Sequence, residues 1–108
     1  MAQIPYNAQA SVLTTNGGQK SALNLAAGAN LVKATAGRIF SLNVNTAGTA
    51  GTLAVYDSAT TAGAAASNLV WEGSATTAQG TVVVLNFPCA NGIVVTAPTG
   101  GVVAVSYV

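Results

Sequence analysis

The chain has 108 residues and a mass of 10.5 kDa, and only five of its side chains are charged: Lys20, Lys33, Arg38, Asp57 and Glu72. Charged residues make up 5% of the sequence and hydrophobic residues 51%, whereas a typical soluble domain carries about 25% charged residues. The composition excludes intrinsic disorder. Three scattered cations also exclude strong electrostatic binding to nucleic acid, which requires about six to ten phosphate contacts.

The scarcity of charged residues leaves large areas of the protein surface without charge. A compact monomer of this mass exposes roughly 5,400 Å², so each charged side chain serves about 1,100 Å². A surface this poor in charge predicts that much of it faces other protein molecules. The length allows one domain with its own core.

The first 18 residues differ from the rest of the chain. They are mixed polar and contain Pro5 and the run Asn16-Gly17-Gly18. We predict an N-terminal arm over 1–18, ordered on binding a partner, and a folded domain over 19–108. The opening residues lack the basic and apolar regions of a secretory signal, and no apolar run is long enough for a membrane helix. We therefore expect a chain made and released in the cytoplasm, with no membrane partner.

Strand-length segments recur along the whole chain, bounded by Gly, Asn and Pro. Their starts lie about 7 to 16 residues apart, a spacing typical of an all-β sandwich or barrel of about eight strands. The alanine-rich segment Ala62 to Ala66 is predicted to be a loop or at most one helical turn. The predicted strands are Ser11–Thr14, Ser21–Leu25, Leu31–Thr35, Arg38–Asn45, Thr52–Tyr56, Asn68–Glu72, Thr81–Phe87, Ile93–Thr96 and Val102–Val108.

Alternation within these segments predicts which side chains are buried. The clearest case places Phe40, Leu42 and Val44 on the core face. The segments 82–85 and 101–105 are instead apolar on both faces, which predicts cover on both sides and hence a neighbouring subunit. The residues assigned to a subunit interface or to the core are Val82, Val84, Val103, Val105 and Tyr107.

Catalytic chemistry has little support in this composition. The chain has no histidine, and its only carboxylates are Asp57 and Glu72. We interpret both as ion-pair partners of Lys33 and Arg38 rather than as an acid–base pair. The single Cys89 has no histidine to activate it and is interpreted as a small buried hydrophobe. No acidic or Cys/His cluster predicts a metal or a cofactor, so we expect a protein that is not an enzyme.

Two other groups could form binding surfaces. Ile4, Pro5 and Tyr6 in the N-terminal arm are predicted to enter a groove on a partner. An alternative binding site would use Trp71 and Tyr56 to stack on a sugar ring, with Asp57 and Asn68 bonding its hydroxyls. A core or interface position for Trp71 is the competing interpretation.

Two motifs carry a resemblance to a known family. The segment 32–39, Val-Lys-Ala-Thr-Ala-Gly-Arg-Ile, is followed at 45–57 by Asn-Thr-Ala-Gly-Thr-Ala-Gly-Thr-Leu-Ala-Val-Tyr-Asp, and a glycine-bounded strand closes the chain. From Leu31 to Val108 the sequence resembles small decoration (cement) proteins of tailed-bacteriophage capsids. Met1 to Gly18 lies outside the resemblance.

The resemblance implies a jelly-roll-like fold and a homotrimer bound to the outer surface of the major capsid protein lattice. It transfers no residue role, since such families carry no catalytic motif. We therefore expect a virion structural protein on the capsid surface, with Ile4, Pro5 and Tyr6 as the capsid contact. The alternative is a carbohydrate-binding or host-adsorption module of a phage spike or fibre. Neither function requires binding to nucleic acid, and the capsid role requires no small-molecule ligand.

Overall fold

Short β-rich segments separated by turns form two four-stranded antiparallel sheets in the computed structural model, which describes residues 20–108. The predicted strand Ser11–Thr14 and the N-terminal arm lie outside the described residues. A single turn of 3-10 helix, Ala66–Asn68, begins at the last residue of the predicted loop and ends at Asn68, which was predicted to start a strand. The strands are β1 Lys20–Leu25, β2 Gly28–Lys33, β3 Gly37–Thr46, β4 Leu53–Tyr56, β5 Leu69–Gly73, β6 Val82–Cys89, β7 Ile93–Ala97 and β8 Val102–Tyr107.

The strand order interleaves early and late segments of the chain. Sheet one has the order β1-β8-β3-β6, and sheet two has the order β2-β7-β4-β5. Strand β4 pairs with β5, β3 with β6, β2 with β7 and β1 with β8, all antiparallel. The chain is therefore folded back on itself between β4 and β5. The all-β prediction is confirmed. Because the strands form two separate sheets, the fold is a sandwich rather than a barrel.

The core lies between the two sheets and is entirely apolar. It is built from alternate side chains of the central strands, as expected when each sheet buries one face. Its members are Ile39, Leu42, Val44, Leu53, Val55, Cys89, Ile93, Val95, Ala97, Val103 and Val105.

The burial pattern of β3 differs from the predicted alternation at its start. Leu42 and Val44 are buried as predicted, but Ile39 is fully buried and Phe40 is only half-buried. The ladder between β3 and β8 shifts register between Ile39 and Ser41. A β-bulge adds one residue and so reverses which face the preceding side chains occupy. The prediction that Phe40 is a core residue was therefore wrong, and Ile39 takes that place.

Strand β2 also begins earlier than predicted. It runs over Gly28–Lys33 rather than from Leu31 to Thr35. Gly28 starts the strand with a φ of 99°, a left-handed conformation that glycine adopts readily. The segment after Lys33 is a bend that leads into Gly37, the first residue of β3.

Candidate functional site

The carboxylate of Asp57, directly after β4, is bound by the turn between β6 and β7. Its Oδ1 accepts hydrogen bonds from the backbone N–H of Asn91 (2.8 Å) and Gly92 (3.3 Å), and its Oδ2 accepts one from Ala90 (3.0 Å). The backbone N–H of Ser58 donates in return to the carbonyl of Gly92 at 3.2 Å. Asp57 thus ties the end of β4 to the neighbouring turn.

This environment changes the acidity of Asp57. Partial burial raises the pKa of Asp57, but the three backbone N–H groups outweigh that effect, and the pKa lies below its ordinary value. Hydrogen bonds to the ionised form stabilise it. The carboxylate is therefore a charged structural acceptor at neutral pH.

The two cations expected to pair with carboxylates make other contacts. Lys33 Nζ donates to the carbonyl oxygen of Val108 at 3.1 Å. Arg38 Nη1 donates to the carbonyl oxygen of Asn86 at 2.9 Å and to its Oδ1 at 3.3 Å. Both cations line a shallow pocket of about 300 Å³ at one end of the sandwich, together with Ala36, Gly37, Pro88 and Val108. The ion-pair interpretation of Asp57 does not describe its contacts, because backbone N–H groups occupy both of its oxygens.

Cys89 lies at the end of β6 and is buried against the core. Burial raises the pKa of its thiol to about 11, and the negative charge of Asp57 acts in the same direction. The thiol is therefore protonated at neutral pH. A protonated, buried thiol is a poor nucleophile.

Tyr56 and Trp71, the aromatic pair of the sugar-binding alternative, lie on opposite faces of sheet two. Trp71 is paired across strands with Val55, which is fully buried, and it packs against the core. A Cβ at Gly73 would overlap the indole ring, so the absence of a side chain there makes room for it. Tyr56 follows Val55 along the strand and so projects from the other face.

The polar members of that alternative are engaged locally. Asn68 Oδ1 accepts from the backbone N–H of Ala65 at 2.9 Å, and its Nδ2 donates to the carbonyl of Gly63 at 2.8 Å. The carboxylate of Asp57 is bound at the β6–β7 turn. The backbone N–H of Asp57 donates to the carbonyl of Asn68 at 2.8 Å, so the structure brings these two residues together beside Tyr56. Trp71 lies on the opposite face of sheet two from Tyr56, so the four residues do not form one platform.

The residues assigned to a subunit interface or core divide into two groups. Val103 and Val105 of β8 lie in the core, and Tyr107 is half-buried against it. Val82 and Val84 of β6 are instead 60% and 65% exposed. They do not belong to the core. Ile4, Pro5 and Tyr6 lie outside the described residues.

The outer face of sheet one is uncharged from Ser41 to Asn43 of β3, where β6 and β8 lie on either side, and Arg38 lies nearer the start of β3, opposite Pro88. Val84 is opposite Ser41, which is opposite Ser106, and the two serine hydroxyls are 2.8 Å apart. In the adjacent row, Val82 is opposite Asn43, which is opposite Ala104. We call these six residues the β6 face. It combines exposed valines with small neutral side chains.

The outer face of sheet two carries a second apolar row, which sequence analysis missed. Leu31, Val94, Tyr56 and Leu69 lie opposite one another across all four strands. Leu31 is 47% and Leu69 39% exposed, while Val94 between them is fully buried. The four residues belong to four segments separated along the chain. Only the strand register aligns them, and no local pattern signals that register.

Within residues 20–108, no three His, Cys, Asp or Glu side chains are grouped so that they could hold a metal ion. Over the same range, no helix has the length and apolar character needed to cross a bilayer.

Comparisons of the chain with protein-family models, with curated proteins and with solved structures found no match.

Proposed function

We propose that the protein is a capsid decoration protein of a tailed bacteriophage, a virion structural protein that binds the outer surface of the major capsid protein lattice as a homotrimer. The observation that carries the proposal is the chemistry of its surface. Exposed apolar side chains occur on both sheets, and the whole chain has five charges. Such a surface is typical of a protein whose faces contact other proteins.

The strand order supports a jelly-roll topology for the proposed decoration protein. Eight strands form two four-stranded sheets, and the pairs β1–β8, β2–β7, β3–β6 and β4–β5 are those of a long hairpin rolled into a sandwich. Jelly rolls are double-sheet folds of this kind and occur in viral capsid domains. Fold alone does not establish function, and the sequence resemblance over Leu31 to Val108 points to the same family.

The mechanism of such a protein is thermodynamic linkage. A ligand that binds only the assembled lattice stabilises that lattice in proportion to its free concentration and affinity. Contacts of ordinary size, about 1,600 Å² in total, would supply the affinity through buried area rather than through charge. Threefold symmetry would strengthen individually weak contacts by avidity.

Binding to undecorated capsids tests the proposed function. Purified protein is titrated onto phage heads that lack decoration, the heads are sedimented, and the bound protein is quantified. We expect saturable binding at a fixed number of copies per head and a higher temperature for head disruption. An excess of an unrelated β-sandwich protein serves as the control for nonspecific adsorption. Absence of both binding and heat protection would overturn the proposal, as would saturable binding to host cells instead of heads.

A double variant tests the predicted capsid contact in the arm. Ile4→Ala with Tyr6→Ala removes its two large side chains, and we expect at least a tenfold loss of capsid affinity. The control is Leu31→Ala, which removes one exposed side chain from sheet two. Equal capsid affinity of the arm variant and the wild type would contradict the assignment of Ile4, Pro5 and Tyr6.

A further inference from the structure

We infer that copies of this chain associate with one another through the outer face of sheet one, with Val82 and Val84 buried at the centre of the contact. The inference deepens the proposed function, on which it rests for the number of subunits, since a homotrimer needs a surface where its subunits meet. It goes further by assigning that surface to the β6 face rather than to the apolar row on sheet two.

Val82 and Val84 are exposed on an edge strand that lacks the usual protection against association. Among the described strands, β6 pairs only with β3 and so forms an edge of sheet one. Natural edge strands are commonly guarded by charge, proline or a bulge. In β6 these devices lie at one end only, where the register with β3 shifts and Pro88 follows. The half that carries Val82 and Val84 has none of them.

Two of the three polar side chains on the β6 face, Ser41 and Ser106, tolerate burial. Ser41 and Ser106 bond one another through their hydroxyls at 2.8 Å. A polar group that already has a partner loses little when water is removed from it. Ala104, the small residue beside Asn43, is 6% exposed and leaves the face flat at that point.

The charge distribution favours a second copy of this chain as the partner of the β6 face. When identical copies meet through the same patch, each charge on that patch faces its own kind near the symmetry axis, which costs free energy. No charged residue belongs to the β6 face, and Arg38 of β3 lies beyond the register shift with its guanidinium bonded to the carbonyl oxygen and Oδ1 of Asn86. On sheet two, by contrast, Glu72 lies opposite Ala54 in the row next to Leu31, Val94, Tyr56 and Leu69. Self-association is therefore favoured through sheet one.

The available area is sufficient for a weak but specific contact. Sheet one has four strands, of which the longest has ten residues. The other three have six, eight and six residues, so at about 4.8 Å between strands and about 3.4 Å per residue the outer face spans roughly 500 Å². In a trimer three such faces meet around the threefold axis and together present at most about 1,500 Å², within the range for stable interfaces. The association should accordingly depend on concentration in the micromolar range.

The mass of the purified full-length protein tests this inference without capsids. Sedimentation equilibrium is measured from about 1 to 200 μM, a range that follows from the weak contact. We expect wild-type protein to reach a multiple of the 10.5 kDa subunit mass. Val82→Lys with Val84→Lys should remain at the mass of one subunit. The matched control, Leu31→Lys with Leu69→Lys on sheet two, should keep the wild-type mass.

Folding of each variant is checked by its circular dichroism spectrum and thermal transition. All four substituted side chains are substantially exposed, so the transitions should match that of the wild type. If the lysine variant does not fold, Val82→Thr with Val84→Thr, which nearly preserves side-chain shape, should still raise the dissociation constant at least tenfold.

Three results would overturn the inference: a wild-type protein that stays at one subunit mass, a folded β6 variant that still associates, or a sheet-two variant that alone dissociates. A monomeric wild type whose capsid binding depends on Val82 and Val84 would assign the face to the capsid protein instead. Because the mass is measured without capsids, intact self-association with no capsid binding would overturn only the proposed function.

Discussion

At the scale of single residues, Asp57 shows how a charge-poor chain uses one of its two carboxylates. The sequence places this residue at the end of a strand in a chain with only three cations, and an ion pair with Lys33 or Arg38 is the simplest expectation. Three backbone N–H groups bind it instead. A turn of consecutive residues can present several N–H donors to one carboxylate, and such charge-assisted bonds are stronger than neutral ones.

Replacing Asp57 with alanine should lower the free energy of unfolding by about 1–3 kcal/mol near neutral pH, because three backbone donors lose their acceptor. Urea denaturation measures this change. The control is Glu72→Ala, which removes an exposed carboxylate and should alter stability by no more than about 0.5 kcal/mol.

The lowered pKa of Asp57 also predicts a pH dependence. The unfolded chain binds a proton at Asp57 more readily than the folded chain does, so acid favours unfolding. The contribution of Asp57 is complete above the ordinary pKa of 3.8 and is lost as the pH falls through the lower value of the folded state. The difference in stability between wild type and Asp57→Ala should therefore narrow below about pH 4. A constant difference from pH 7 to pH 2 would contradict the role given to the ionised carboxylate.

At the scale of single elements, strand β3 shows where alternation fails as a guide to burial. The run from Phe40 to Val44 alternates cleanly, yet the buried residue at the start of the strand is Ile39. The bulge that causes this is a relation between β3 and β8, since it consists of a register shift between paired strands. Reading one strand alone cannot reveal it.

Alanine substitutions at Ile39 and Phe40 test which of the two side chains belongs to the core. Ile39→Ala should destabilise the fold by about 2–5 kcal/mol, the range for large-to-small changes in a core. Phe40→Ala should cost clearly less, because the Phe40 side chain is half-buried and lies outside the core cluster. Chemical denaturation of both variants provides the measurement. A larger loss of stability for Phe40→Ala than for Ile39→Ala would instead support the uninterrupted alternation predicted from the sequence.

At the scale of the whole molecule, the structure shows which parts of the surface are apolar and lack charge. Val82 and Val84 project from sheet one, and Leu31 and Leu69 from sheet two. The two carboxylates do not compensate, since Asp57 is bound at a turn and Glu72 is a single exposed group. The surface is therefore neutral over wide areas on both sides of the sandwich.

The proposed contact surface is neutral, which predicts how the proposed self-association responds to salt. Raising sodium chloride from 0.05 to 1 M screens ionic contacts but leaves apolar burial intact. The association constant of the wild-type protein, measured by sedimentation equilibrium, should not fall over this range. Dissociation of the oligomer by salt would show that Lys20, Lys33, Arg38 or the carboxylates hold the contact.

The sequence by itself determined the all-β class and the approximate position of every strand from β1 to β8, because strand-length apolar runs and the turn residues between them are local signals. It also indicated Val82 and Val84 as interface candidates through a run that is apolar on both faces. Only the tertiary structure decided which of those faces is open to solvent, that Tyr56 and Trp71 lie on opposite sides of sheet two, and that Leu31, Val94, Tyr56 and Leu69 share a row. Each of these depends on register between strands distant along the chain, and a one-residue change in register reverses the face that a side chain occupies.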